Sequence, residues 1–189
     1  NLKKLSRYFK IPVERGPDDI THLPDYFGFK KPDQKLEDYE CQIFAEIVDA
    51  ADLSVRKILK IAKDYAKQGA NVIDLGCMPD TKFDHLEETV RALKSHGMMV
   101  SVDSANSDEL IRGSMSGADF VLSISEKNIN ILDKINSIPI LIPSNPGDLN
   151  SLKRIIKIAE DKKKDFYADP ILDPIHYGFA ESVHRYIKL

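Results

Sequence analysis

Four aspartates stand at the ends of near-apolar runs in this 189-residue chain: Asp49 in IFAEIVD, Asp74 in NVIDLG, Asp103 in MVSVDS and Asp169 in FYADP. A carboxylate fixed in such a place can accept paired hydrogen bonds from adjacent N–H donors of a ligand, or cap the helix that follows. An amphipathic segment separates each run from the next. That is the pattern of repeated β-α units, whose strand C-termini form one rim where ligands bind.

The elements that must position these acids are legible. Strands are expected at 42–48, 71–75, 98–102, 120–124, 139–142 and 166–168. Helices are expected at 54–68, 82–95, 107–115, 128–135, 149–161 and from 178 to the chain end. Asp52 or Ser54 caps the first of these helices, and Gly69, Gly97 and Gly117 stop the first three. The first forty residues differ, with Pro12, Pro17, Pro24 and Pro32 and no sustained period. They read as an irregular arm, residues 1–41, carrying one short helix near 21–27 and preceding a barrel portion at 42–189.

The strand runs are continuous rather than alternating, as in strands covered on both faces, and crossovers of this length make a parallel sheet. Neither VDAADLS nor DLGCMPD supplies the glycine-rich phosphate turn of a doubly wound sheet. The expected fold is therefore α/β, a parallel (β/α) barrel of the TIM type. Six β-α units are visible against the eight of a closed barrel, and the chain does not open on methionine, which together point to a fragment.

Composition narrows the function classes. A net charge of −3 with lysines spread over helix faces offers no basic patch for nucleic acid, and Lys162, Lys163 and Lys164 close a helix, where cations suit the dipole. No run approaches the roughly 20 apolar residues of a membrane span, and no leader opens the chain. Two unpaired cysteines, Cys41 and Cys77, fit a reducing, cytoplasmic setting. No His, Cys or carboxylate set has metal-ligand spacing; His85, His96 and His184 lie isolated on helices.

GANVIDLG, SVDS, GADFVLSIS and a DP strand end, in that order, resemble the pterin-binding (β/α)8 family over roughly residues 42–189. That family contains dihydropteroate synthase and the pterin-dependent corrinoid methyltransferases. DPILDPIHYGFAESVHRY is most similar to dihydropteroate synthase-related proteins of methanogenic archaea. By motif, the resemblance implies Asp103 and Asp169 as pterin-contacting acids, with Asp173 an alternative to Asp169 and Asp74 matching a DxG turn beside them. Asp49 and Asp52 match the first-strand loop on the diphosphate side, although the family's asparagine is Asp49 here. Where synthases carry Asn and Asp at the fourth strand, this chain has Leu122 and Ser123, so Ser123 or Ser125 is the replacement available. Ser144 and Asn145 stand at the fifth-strand rim.

Each residue also has a plainer reading. Asp103 could cap the helix opening near Asn106, Asp169 could fix the turn before Pro170, and Asn145 could make a loop turn. His176 is a loop histidine, and Cys77 is either a rim thiol or a small packing residue.

The resemblance implies a transferase of folate or tetrahydromethanopterin biosynthesis. It would condense a dihydropterin-methyl diphosphate with an arylamine, Mg²⁺ accompanying the diphosphate and no cofactor being covalently bound. Its partner is then a small pterin substrate, and a homodimer is left open. The family's lysine, arginine and histidine of the last two strands would lie beyond Leu189, so the chain alone is expected to bind a pterin poorly and catalyse nothing. Two alternatives stand beside this one: a methyl-tetrahydropterin:corrinoid methyltransferase-like binder, and a non-enzymatic barrel module completed by another chain.

Overall fold

A computed structural model describes residues 2–17, 19–29, 41–79 and 81–189. It divides into two compact units, Asn1–Cys41 and Gln42–Leu189. In the first, helix α1 (Leu2–Phe9) is followed by a 3-10 turn (Ile20–His22) and the short helix α2 (Leu23–Tyr26). The second pair matches the helix expected at 21–27, started by Pro24 in the first turn, where a missing N–H costs nothing. Helix α1 was not expected, because eight residues carry too few periods to be read as a pattern. Val13 N–H donates to Ser6 Oγ (2.9 Å) and the Tyr26 hydroxyl to Glu14 Oε2 (3.1 Å) within this unit. Pro32 lies outside the described residues.

The second unit holds one sheet of six parallel strands in chain order: β1 (Phe44–Ile47), β2 (Val72–Gly76), β3 (Met99–Asp103), β4 (Phe120–Ile124), β5 (Ile138–Leu141) and β6 (Tyr167–Ala168). The helices α3 (Val55–Lys67), α4 (Leu86–Ser95), α5 (Ser107–Met115), α6 (Leu149–Asp161) and α7 (Phe179–Lys188) follow β1, β2, β3, β5 and β6 in turn. The crossover after β4, where a short helix was expected at 128–135, is a 3-10 helix (Ile129–Lys134). Helix α4 begins at Leu86, four residues later than expected, because the chain before it turns to bury Phe83, whose N–H donates to Glu109 Oε1 (3.1 Å).

Side chains alternate across a strand, so each strand has a helix-facing and an inward-facing set. Ile47, Ile73, Leu75, Val100, Val102, Val121 and Leu141 face the helices and are buried against residues such as Ile58, Leu86, Val90, Leu93, Leu110, Leu152 and Ile155. The inward set carries Phe44, Glu46, Asp74, Ser101, Asp103, Phe120 and Tyr167, as the register pairs Glu46 with Asp74, Asp74 with Ser101 and Ser101 with Phe120 require.

Three strand spacings separate β1 from β4, about 14 Å in a flat sheet. The Phe44 and Phe120 rings nevertheless lie 5.2 Å apart, and Tyr167 of β6 reaches the same Phe120 ring at 6.2 Å. The sheet is therefore curled, with its inward face concave, as in a partial barrel of the TIM type.

Candidate functional site

Two of the four aspartates meet on the concave face. Asp74 is the third residue of β2, in mid-strand rather than at its end, because pairing continues to Gly76 and Cys77 N–H donates to Asp103 O (2.9 Å). It is 6% exposed, and Ser101 Oγ donates to its Oδ1 (2.6 Å). Burial pushes the Asp74 carboxyl up to about 6; the Ser101 hydrogen bond opposes this, and the charges of Asp103 and Glu46 add to it.

Asp103 closes β3, and Ser123 Oγ donates to its Oδ1 (2.5 Å). It does not cap α5. Asn106 does that, accepting from Asp108 N–H (2.9 Å), with Ser104 Oγ accepting from Asn106 N–H (3.0 Å). The contact with Ser123 depends on an irregularity in β4: the register shifts between Val121 and Ile124, and Ser123 takes a left-handed φ of +63°. Such a bulge re-aims a side chain that regular alternation would turn away.

Glu46, an inward residue of β1, completes this group and was not singled out from the sequence. A Cβ added at Gly76 would lie 2.4 Å from Glu46 Oε1, so the exposed Glu46 carboxylate rests over the β2 backbone at that glycine. An acid two residues after Phe44 in an otherwise apolar strand was the available signal.

The remaining candidates are held elsewhere. Asp169 follows β6; its N–H donates to Leu141 O (2.8 Å), while its Oδ1 accepts from Ile171 N–H (2.8 Å) and from the Tyr186 hydroxyl. It makes the turn before α7, and those bonds leave Oδ2 as the oxygen available to a ligand. Asp173 is paired with the nearly buried Arg185 (2.6 Å), which also donates to the carbonyls of Pro170 and Ile171. Asn145 is exposed, and its carbonyl accepts from Asp148 N–H in a turn. Ser144 Oγ donates to Glu126, itself paired with Arg154, and Ser125 is buried, its Oγ accepting from Lys127 N–H.

On the β1 loop, Asp49 has a left-handed φ of +53° and Asp52 closes a 3-10 turn (Ala50–Asp52); both are exposed, and Ser54, not Asp52, caps α3. His176 is exposed in a turn. Cys77 behaves as a packing residue: burial, with Glu109 and Asp103 nearby, pushes its thiol up to about 12. Among the described residues no hydrogen bond joins Asp169, Asn145, Asp49 or Asp52 to Asp74 or Asp103, and no set of three His, Cys, Asp or Glu side chains could hold a metal ion. No described helix is long and apolar enough to cross a membrane.

No family model matches the chain. An uncharacterized protein of Methanocaldococcus jannaschii is 28% identical over 165 residues, covering 77% of this chain and 31% of that protein. The solved structures similar to it include a dihydropteroate synthase of Burkholderia cenocepacia complexed with 7,8-dihydropteroate, at 15% identity and a TM-score of 0.55, covering 71% of this chain and 60% of that one. The 7,8-dihydropteroate synthase of Vibrio fischeri is 13% identical with a TM-score of 0.62, covering 78% and 69%. A Yersinia pestis synthase with a pterin-sulfa conjugate is 18% identical with a TM-score of 0.56, covering 69% and 59%. The chain thus spans about a third of the curated relative it matches and roughly six tenths of the first of these structures. Its second unit has the fold of a partial parallel β/α barrel like that of the dihydropteroate synthases.

Proposed function

We propose that the concave face of the second unit binds a pterin, with Asp103 as the principal acceptor, in a dihydropteroate synthase-like protein of folate or tetrahydromethanopterin biosynthesis. The observation that carries this reading is Asp103 itself. It sits at the C-terminal end of β3, is relieved of helix capping by Asn106, and is fixed by Ser123 through one lone pair of Oδ1, which leaves Oδ2 and the second lone pair of Oδ1 to accept. A pterin's 2-amino group and ring N–H form an adjacent donor pair that such a carboxylate accepts with two charge-assisted bonds. Asp74 and Glu46 lie beside it. Asp169, through Oδ2, is the second acid of the proposal; Asn145, exposed at the fifth-strand rim, would contact the ligand only from the outside.

In the proposed reaction the arylamine nitrogen attacks the methylene carbon of the dihydropterin-methyl diphosphate. The carbon–oxygen bond breaks, diphosphate leaves with the electron pair, and the amine proton is lost. The chain's part is to hold and orient the pterin while this happens. Mg²⁺ would arrive on the diphosphate.

One observation favours the methyltransferase-like reading instead. Asp49 and Asp52 are exposed acids on the β1 loop, and Glu46 adds a third carboxylate on that side. Like charges there repel an unescorted diphosphate, whereas a methyl-tetrahydropterin carries none.

Calorimetric titration of the full-length protein with dihydropterin-methyl diphosphate plus Mg²⁺, and separately with methyl-tetrahydropterin, distinguishes the two. Asp103→Asn is expected to weaken the preferred ligand by roughly 10- to 100-fold, since a hydrogen bond to a charged group is worth about 1.5–3 kcal/mol. Unchanged affinity in that variant would remove Asp103 from the site; no heat with either ligand would remove pterin binding altogether.

A further inference from the structure

Asn128 is 4% exposed and lies just before the 3-10 helix that follows β4. Its amide is used at both ends within five residues: Oδ1 accepts from Ser125 N–H (2.7 Å) and Nδ2 donates to Ser123 O (3.2 Å). A flipped amide would set N–H against N–H and oxygen against oxygen, so the two partners fix its orientation. Both bonds land on the segment that leaves regular strand geometry. Ser123 stands there at φ +63°, a strained conformation for an L side chain that persists when surrounding contacts enforce it. The consequence of the bulge is the bond from Ser123 Oγ to Asp103 Oδ1 at 2.5 Å.

We propose that Asn128 is a positioning residue of the rim: by clamping the β4 bulge it aims the Ser123 hydroxyl at Asp103 and so orients the carboxylate toward a ligand. The chain of contacts runs from Asn128 to the Ser123 carbonyl, from the Ser123 hydroxyl to Asp103, and crosses from β4 to β3. Asn128 touches no ligand in this scheme. The consequence for ligand binding rests on the pterin-binding reading given above; the orienting of Asp103 does not.

The test uses Asn128→Asp, which keeps an acceptor for Ser125 N–H but removes the donor to Ser123 O, together with Ser123→Ala and the double variant. In the unliganded chain at fixed neutral pH, the ¹³C resonance of the Asp103 carboxyl is expected to move in Asn128→Asp in the same direction as in Ser123→Ala, with no additional movement in the double variant. In pterin titrations each single variant is expected to bind roughly 5- to 10-fold more weakly, and the double variant no worse than Ser123→Ala, the non-additivity of residues acting through one contact. Loss of thermal stability in Asn128→Asp with the Asp103 resonance at its wild-type position would overturn the proposal and leave Asn128 a turn-maker. If the wild-type full-length protein binds neither pterin, the functional reading fails while the resonance still decides whether Asn128 orients Asp103.

Discussion

Burial sets the chemistry of Asp74 more than its sequence neighbours do. Its carboxyl ordinarily titrates at 3.8 and is pushed up to about 6 in the folded chain, so between those values the folded state holds more protons than the unfolded one. Stability from this group therefore falls as pH rises through that window and stays lower above it, by ~3 kcal/mol at most, a shift of one unit being 1.36 kcal/mol. Asp74→Asn, which keeps an acceptor for Ser101, is expected to be more stable than the wild type by ~1–3 kcal/mol at pH 7.5 and to lose that advantage at pH 4. Urea unfolding at the two values checks this, and an equal difference at both would contradict it. Glu87 has the opposite sign, since the Arg112 guanidinium holds its carboxyl down to about 2, so the comparison is between variant and wild type at each pH rather than along the wild-type curve alone. At this scale the sequence named Asp74, Asp103 and Ser123, but not which of them are buried together. It missed Glu46 and Asn128 because one reads as a charged residue in a short strand and the other as an ordinary turn former.

Elements were more legible than sites, because hydrophobic period and capping residues act over neighbouring positions. The helices starting after Ser54, Asn106 and Asp148 are each capped by that side chain. Less visible was how closely α5 approaches the sheet. Gly113 lies in mid-helix, where alanine is ordinarily better by about 1 kcal/mol, yet a Cβ there would come within 2.7 Å of Val102 Cγ2. Val102 is fully buried and stiff about χ1, so it has little room to yield. Gly113→Ala is accordingly expected to destabilise the chain by roughly 1–3 kcal/mol, against its helix propensity. A variant at least as stable as the wild type in denaturant unfolding would mean that the helix can move away from the strand. The 3-10 crossover after β4 is a second case: its residues have helical period, but the clamp of Asn128 on Ser123 and Ser125 commits the start of the segment to a tighter path.

On the scale of the whole second unit, curvature makes the rim. Phe120 is 4% exposed and is touched by rings from β1 and from β6, so it pins the concave face. Phe120→Ala is expected to cost about 3–5 kcal/mol, the usual cost of emptying a buried aromatic site, and to loosen the inward face before the helix-facing core. Hydrogen exchange that rises in β1 and β6 more than in β2 and β3 would bear this out; uniform change across the sheet would not. By itself the sequence determined the succession of β-α units, the parallel sheet, the glycine stops of the first three helices and the presence of acids near strand ends, since these follow from the local pattern of residues and the length of the crossovers. Only the tertiary structure decided which acids share a site. Register and curl place Glu46, Asp74 and Asp103 together on the concave face, and the bulge at Ser123 fixes Asp103, while α7 draws Asp169 and Asp173 into its own turn through Tyr186 and Arg185. Carboxylates alike in sequence thus part company because hydrogen-bond partners from distant elements reach some of them and leave others exposed.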